Sequence, residues 1–274
     1  MKIKGTVLFS HLGLWLVLTG LFLPLVWMLA TSLKTPEQIF SGSLNPLPSP
    51  ATLNNYASVM DSLPVLRYTW NTFFIAAMVT AGKLTTSLLA AYGFTQFRFK
   101  GREALFYLCL LAVFVPFTVT MMPNYLLLAK LGWLNTYSGA ILPHLADGLG
   151  IFLMRQSIRS VPASLVEAAR LDGIGHGKIL LRIILPAVRP SLIALGILFF
   201  INSWNEYFWP LLVLNDKSMY TLPVALQAFT NVEGGTDWGV MMAAASLTSL
   251  PPLFAYLITQ KQVVDTFVQS GIKG

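Results

Sequence analysis

A chain of 274 residues with 55% hydrophobic and 11% charged side chains is too apolar for an ordinary soluble domain, which carries about 25% charged residues. Its single cysteine, Cys109, excludes a disulfide framework and a thiolate metal site. The formal charge of +7 invites a nucleic-acid reading, which the placement of the basic residues between long apolar runs argues against.

The first predicted element is apolar: no charged residue occurs from Gly5 to Leu33, a run longer than the roughly 20 residues needed to cross a hydrocarbon core. Lys2 and Lys4 before it are also features of a signal peptide, but its length and the lack of a clear small-residue cleavage site favour a retained helix. From Lys34 to about Tyr68 the prolines 36, 46, 48, 50 and 64 rule out a continuous helix. This segment is expected to be an ordered outer loop with short helical pieces, either a plain connection or a surface for an external partner. Further spans are predicted over Trp70 to Phe94, Ala104 to Met122, Thr136 to Met154, Ser191 to Leu214 and Val240 to Thr259. The expected fold is an all-α polytopic membrane protein with about six transmembrane helices in a single domain over 1–274.

Lys83 falls near the middle of the second span and Asp147 inside the fourth. Ionisable groups cost about 2.5 to 3.5 kcal/mol at a helix centre, so the two either pair, with each other or with a sister subunit, or line a wet path. Between the fourth and fifth spans comes a polar, basic segment, EAARLDGIGHGKILLRIILP, from Glu167 to Pro186. Ser164 is placed to cap a short helix from Leu165 to about Leu171, with Glu167 reaching back. Gly173, Gly175 and Gly177 are expected to break it through positive φ angles. A second apolar helix then runs from Lys178 until Pro186 and Pro190 interrupt it.

The fifth span carries Asn202, Ser203, Trp204, Asn205 and Glu206 in succession. Helical spacing would put Asn202 and Glu206 on one face, and polar groups at this depth must face protein or water. A ring beside amide and carboxylate groups suits a sugar or polyol; the same residues also suit contacts between helices. Trp209 and Pro210 are expected at the outward end of the span, with the indole near the headgroups. A polar, glycine-rich outer loop containing NVEGGTDWG follows, and Trp238 would anchor the last span.

No catalytic constellation emerges. His11, His144 and His176 are scattered without metal-ligand spacing. DGIGHGK fails as a phosphate loop, because Asp172 stands at the first glycine position and Ile179 follows Lys178. With the amino terminus inside, the inner segments carry Arg98, Lys100, Arg102, Arg155, Arg159, Arg170, Lys178, Arg182, Arg189 and Lys261 besides Lys2, Lys4 and Lys273. The outer ones carry Lys34, Arg67, Lys130 and Lys217. This asymmetry places both termini in the cytoplasm.

Glu167, Ala168, Ala169, Gly173, Ile183, Leu185 and Pro186 resemble the EAA loop of binding-protein-dependent ABC-importer permeases, with its Glu-Ala-Ala, its glycine and its Ile-x-Leu-Pro. AAYGFTQFRFKG, LLAKLGWLNTYSGAILP, IFLMRQSIRSVP, SWNEYFWPLLVL and the terminal GIKG are similar to the maltose-type carbohydrate-uptake permeases. The resemblance implies a multi-pass permease subunit of a bacterial-type inner membrane, moving a sugar or sugar-like solute inward by alternating access. It implies a cytoplasmic coupling loop over 155–190, in which Glu167, Ala168, Ala169, Arg170, Asp172 and Gly173 dock an ATPase, with Arg170 and Asp172 pairing at its rim. The implied partners are a related second permease, two ABC ATPase subunits that hold ATP and Mg, and an extracytoplasmic solute-binding protein. No cofactor, metal or catalytic residue is implied on this chain. Lys83, Asn202, Trp204, Asn205 and Glu206 are the candidates for the solute path. Gly82, Lys83 and the outer EGGTDW resemble the glycerol-3-phosphate branch, and a buried cation suits a phosphorylated solute. The rival class is an ion-coupled secondary transporter using Lys83, Asp147 and Glu206, although the matching broken halves common in such proteins are not evident.

Overall fold

The computed structural model describes residues 2–41, 45, 47–229 and 237–271. Residues 231–236, which hold most of the NVEGGTDWG motif, and residues 272–274 of GIKG lie outside the described residues. Among the described residues the chain is helical and contains no strand.

Helix α1 (Lys2–Ser32) follows the charge-free run. The apolar stretch within its Ser10–Ser32 segment is not covered by the rest of the chain, which suits hydrocarbon or a partner helix and not water. The proline-rich segment holds two short helices, α2 (Pro36–Phe40) and α3 (Asn54–Ser62). Thr35 and Gln38 form a reciprocal capping box around Pro36, each side-chain oxygen accepting the other residue's N–H at 3.4 Å. Helix α4 (Val65–Gln96) has 32 residues and is roughly 48 Å long at the α-helical rise, so it projects beyond a membrane core of about 30 Å.

The third predicted span is broken. Helix α5 (Arg102–Leu111), a tight turn and α6 (Phe117–Leu131) meet at a 96° bend. Pro116 has no N–H to give and pushes Val115 into an extended conformation, φ −86° and ψ 110°. The fourth predicted span is not continuous either. Helix α7 (Tyr137–Ile141) passes into a turn at Leu142–His144, and α8 (Gly148–Arg159) starts anew. Asp147 initiates α8, its Oδ1 accepting the Gly150 N–H at 2.9 Å.

Helix α9 (Ala163–Leu171) precedes α10 (His176–Ile179), a π-helical turn over Leu180–Ile184 and α11 (Leu185–Ala187). The wide turn lets the Leu185 N–H reach back to the Leu180 carbonyl and accommodates Pro186, so helix continues through that proline and not merely up to it. Helix α12 (Arg189–Trp204) then turns by 78° from this segment. The fifth predicted span divides as well, because α12 ends at Trp204 and α13 (Phe208–Val213) begins beyond Tyr207. Helices α14 (Leu222–Leu226) and α15 (Trp238–Gly271) complete the chain. Among the described residues three unbroken helices are long and apolar enough to cross a membrane, or up to five if each of two bent pairs makes one span, where the sequence predicts about six.

The chain divides into two compact units, Met1–Arg67 with Val224–Pro251, and Tyr68–Pro223 with Pro252–Gly274. In the first, the buried Asn55 amide donates to the carbonyls of Ser32 at 2.9 Å and Lys34 at 2.8 Å, tying α3 to the end of α1. Lys34 is itself buried, donating from Nζ to the Asn45 carbonyl at 2.7 Å and lying 5.4 Å from the Trp27 ring centre.

Among its described residues the second unit packs around two apolar clusters. One joins Ala91 and Tyr92 of α4, Met154 and Ile158 of α8, Val166 and Ala169 of α9, and Phe199 of α12. The other gathers Ile75 and Val79 of α4, Ala140 and Ile141 of α7, and Val213 around Trp209 of α13. Trp209 is fully buried and its Nε1 donates to the Gly139 carbonyl at 3.2 Å. The expectation of a headgroup-level indole is thus corrected, because the chain breaks before α13 and folds this ring into the core.

Candidate functional site

The candidate docking segment is built from α9 outward. Pro162, in an extended conformation, precedes the first turn, and no side chain caps it. The expected capping box is therefore absent: Ser164 already lies inside the helix, which starts after Pro162, two residues earlier than predicted. Glu167 is exposed and makes no hydrogen bond or ion pair among the described residues. Val166 and Ala169 turn inward, 5% and 6% exposed, which removes Ala169 from the outer face on which the sequence placed it. Ala168 stays outside, and Leu171 is 90% exposed.

The helix ends in a Schellman motif. The Gly173 N–H reaches the Arg170 carbonyl at 3.0 Å and the Ile174 N–H reaches the Ala169 carbonyl at 2.9 Å. Gly173 has φ +74°, the left-handed conformation the motif requires. Gly175 does not share it, with φ −70°, and Gly177 is an ordinary helical residue. One glycine, not three, makes the reversal. Ile174 closes the turn by packing on the first apolar cluster.

Arg170 does not pair with Asp172. Its Nη2 donates to Gln96 of α4, at 3.0 Å to Oε1 and 3.3 Å to the carbonyl. His176 is held against the same end of α4, with Nδ1 2.9 Å from the Tyr92 hydroxyl and its ring centre 4.6 Å from that of Phe97. The segment over residues 167–186 is thereby clamped to the last turn of α4. Nothing in the spacing of Tyr92, Gln96 and Phe97 marked them as partners of a segment about eighty residues later; only the Tyr92–Gln96 helical repeat shows that two of them share a face.

A second clamp was legible only as charge. Arg155, 8% exposed, donates from Nη2 to both carboxylate oxygens of Glu103 at 2.8 Å and stacks on Phe106 with Cζ 3.8 Å from the ring centre. Their opposite signs at the predicted inner ends of adjacent spans were the available signal.

Of the intramembrane candidates, Lys83 and Asp147 meet. Lys83 Nζ lies 3.0 Å from Asp147 Oδ2 and 5.1 Å from the Phe199 ring centre. Asp147 thus uses one oxygen to start α8 and the other to hold α4. The polar cluster sits where the chain breaks between α12 and α13. Trp204 is fully buried, Asn202 and Asn205 are exposed, and Glu206 is half-buried. Glu206 lies past the end of α12, so the predicted shared face with Asn202 does not form; its Oε1 instead accepts the Trp209 N–H at 3.3 Å. Beside the break is a cavity of about 10 Å³ whose lining includes Glu206, Ser203, His144 and Thr221. His144 Nε2 and Thr221 Oγ1 are buried without a hydrogen-bond partner among the described residues.

Residues 83–265 match the family described as binding-protein-dependent transport system inner membrane component. The sn-glycerol-3-phosphate transport system permease protein UgpE of Yersinia pestis bv. Antiqua (strain Antiqua) is 32% identical over 274 residues, covering 97% of this chain and 98% of the relative. The permease of the same name from Brucella melitensis biotype 1 is 30% identical over 271 residues, covering 96% of each. Among solved structures, a chain of a bacterial ABC transporter involved in the import of the acidic polysaccharide alginate superposes with a TM-score of 0.83 at 24% identity, over 95% of this chain and 96% of that one. That likeness concerns the fold; the sequence matches carry the descent. Clamped segment, broken spans and full-length matches together place this chain among the multi-pass inner-membrane permeases of binding-protein-dependent transport systems, the family to which it belongs.

Proposed function

We propose that this permease subunit carries sn-glycerol-3-phosphate inward by alternating access, in a complex with a related second permease, two ABC ATPase subunits and an extracytoplasmic solute-binding protein. The observation that carries the coupling part is the outer face of α9, where Glu167, Ala168 and Leu171 stand free of the chain while Val166 and Ala169 anchor the helix. An exposed leucine beside an unpaired carboxylate, on a helix fixed at both ends, is a surface suited to a protein partner. Motion of that surface would pass to α4 through the Arg170–Gln96 and His176–Tyr92 contacts. ATP and Mg would be held by the ATPase subunits, and this chain would do no covalent chemistry.

The solute assignment is supported by the relatives, which match nearly end to end and are described as sn-glycerol-3-phosphate permeases. Asn202, Asn205 and Glu206 would border the path at the α12–α13 break, where helix ends leave backbone groups free for a polar solute. Trp204 would support them from behind. Lys83 is neutralised by Asp147, so in this conformation it supports α4 against α8, and the anion would be met elsewhere. The ion-coupled alternative has no support, since its three coupling groups are engaged with one another or with a helix start.

The test is uptake by the complex reconstituted with its binding protein. Labelled sn-glycerol-3-phosphate should accumulate and be competed by unlabelled sn-glycerol-3-phosphate, and not by glycerol or a neutral disaccharide. Competition by the neutral disaccharide alone would overturn the assignment.

A further inference from the structure

Residues 97–101 join the end of α4, long and apolar enough to cross a membrane, to α5, the first half of a bent pair that together is apolar enough to make one span; a turn between two such segments belongs at a membrane surface. Gly101, with φ +81°, reverses the chain into α5. The turn frames a cleft of about 400 Å³ lined by Arg98, Phe99, Gly101, Arg102, Glu103 and Ala104. The Glu103 carboxylate in this lining is already engaged by Arg155 at 2.8 Å and Arg102 at 2.9 Å. Arg98 and, beside the cleft, Lys100 are exposed and have no ion pair or hydrogen bond among the described residues. They are cations without a counter-charge at the mouth of a cleft.

Apolar surface continues from it. Phe97 and Phe99 are 44% and 46% exposed, and Leu105, Leu108 and Leu111 are uncovered along α5. Leu105, Leu108 and Leu111 recur every three residues, which lines them up in one stripe leading away from the cationic end. A free cationic mouth above an uncovered apolar stripe, at the end of a span, matches an amphiphile with a negative headgroup. We propose that this cleft binds an anionic phospholipid, with its phosphate at Arg98 and Lys100 and its acyl chains along Leu105, Leu108 and Leu111. Exposed phenylalanines at the same level would sit in the interfacial layer and hold the turn at a fixed depth. The lipid would thus brace the end of α4 that also clamps the docking segment.

The test uses the full chain in detergent micelles and lipid titration read by native mass spectrometry. Phosphatidylglycerol should bind at least tenfold more tightly than phosphatidylcholine. Arg98→Gln with Lys100→Gln should weaken phosphatidylglycerol binding about 30-fold, the effect of two lost interfacial cations, while helicity by circular dichroism stays the same. Arg98→Lys with Lys100→Arg should restore it. Equal affinity for the two lipids in the unmodified chain would overturn the proposal, whatever the variants do. So would displacement of phosphatidylglycerol by inorganic phosphate at equal concentration, which would mark a simple anion site. Unchanged phosphatidylglycerol binding in the glutamine variant, with loss of an ATPase subunit instead, would assign the patch to a protein and not to lipid.

Discussion

Gly173 offers a perturbation whose magnitude follows from its surroundings. A Cβ at this position meets no atom within 4 Å, so Gly173→Ala introduces no clash and acts through backbone conformation alone. At φ +74° an alanine is disfavoured by about 1–2 kcal/mol. The Schellman bonds of Gly173 and Ile174 hold only while that conformation is kept, so the penalty falls on the docking shape of the segment. If the remainder of the chain is unaffected, apparent affinity for the ATPase subunit should fall roughly 5- to 30-fold. Gly173→Asn should cost less, because asparagine tolerates the left-handed region, and Gly173→Val more. Gly175→Ala is the internal control: it too meets no atom within 4 Å, but its φ of −70° suits any residue. The assay is ATPase capture by the solubilised permease together with solute-stimulated ATP hydrolysis, normalised to permease in the membrane. Equal losses for Gly173→Ala and Gly175→Ala, or none for either, would refute the conformational argument.

Breaking the ion pair with Lys83→Ala should lower the amount of assembled complex while leaving transport per complex nearly unchanged, and a double-mutant cycle with Asp147→Asn should give a coupling of about 0.5–3 kcal/mol. Trp209→Ala should destabilise by about 3–5 kcal/mol, read as loss of folded permease on gentle heating in detergent; an exposed headgroup-level indole would give almost no change. Tyr92→Phe keeps the ring but removes the hydroxyl from His176, and should cost about 0.5–1.5 kcal/mol in local stability, measured as faster proteolysis within 171–178; an unchanged cleavage rate would remove this contact from the clamp.

Composition and the charge-free run from Gly5 to Leu33 sufficed for the membrane class, and Gly173 marked the reversal after α9, although Gly175 and Gly177, expected to share its conformation, do not. What composition could not show was continuity. Pro116, the turn from Leu142 to Asp147 and the Asn205–Tyr207 stretch each divide a run that the sequence reads as one span, because a missing N–H or a side-chain cap breaks a helix without changing mean hydropathy. The same breaks explain the misplaced residues: once α12 stops at Trp204, Glu206 leaves the face of Asn202 and Trp209 enters the core. Lys83 and Asp147 were visible as costly charges, and pairing was one of two outcomes open from sequence; their 3.0 Å contact selects it for this conformation. Ala169 went astray because small size fits a docking face and a tight core equally well, and only the position of Val166 beside it decides between them.

On the proposed function, ATP hydrolysed on a docked partner drives this permease. The most direct measurement is solute uptake into proteoliposomes holding the assembled complex, loaded either with ATP and Mg or with no nucleotide under an imposed proton or sodium gradient. Uptake should require internal ATP and external binding protein, and should fall in step with ATPase capture in Gly173→Ala. Uptake that follows the ion gradient without ATP would show an ion-coupled transporter instead.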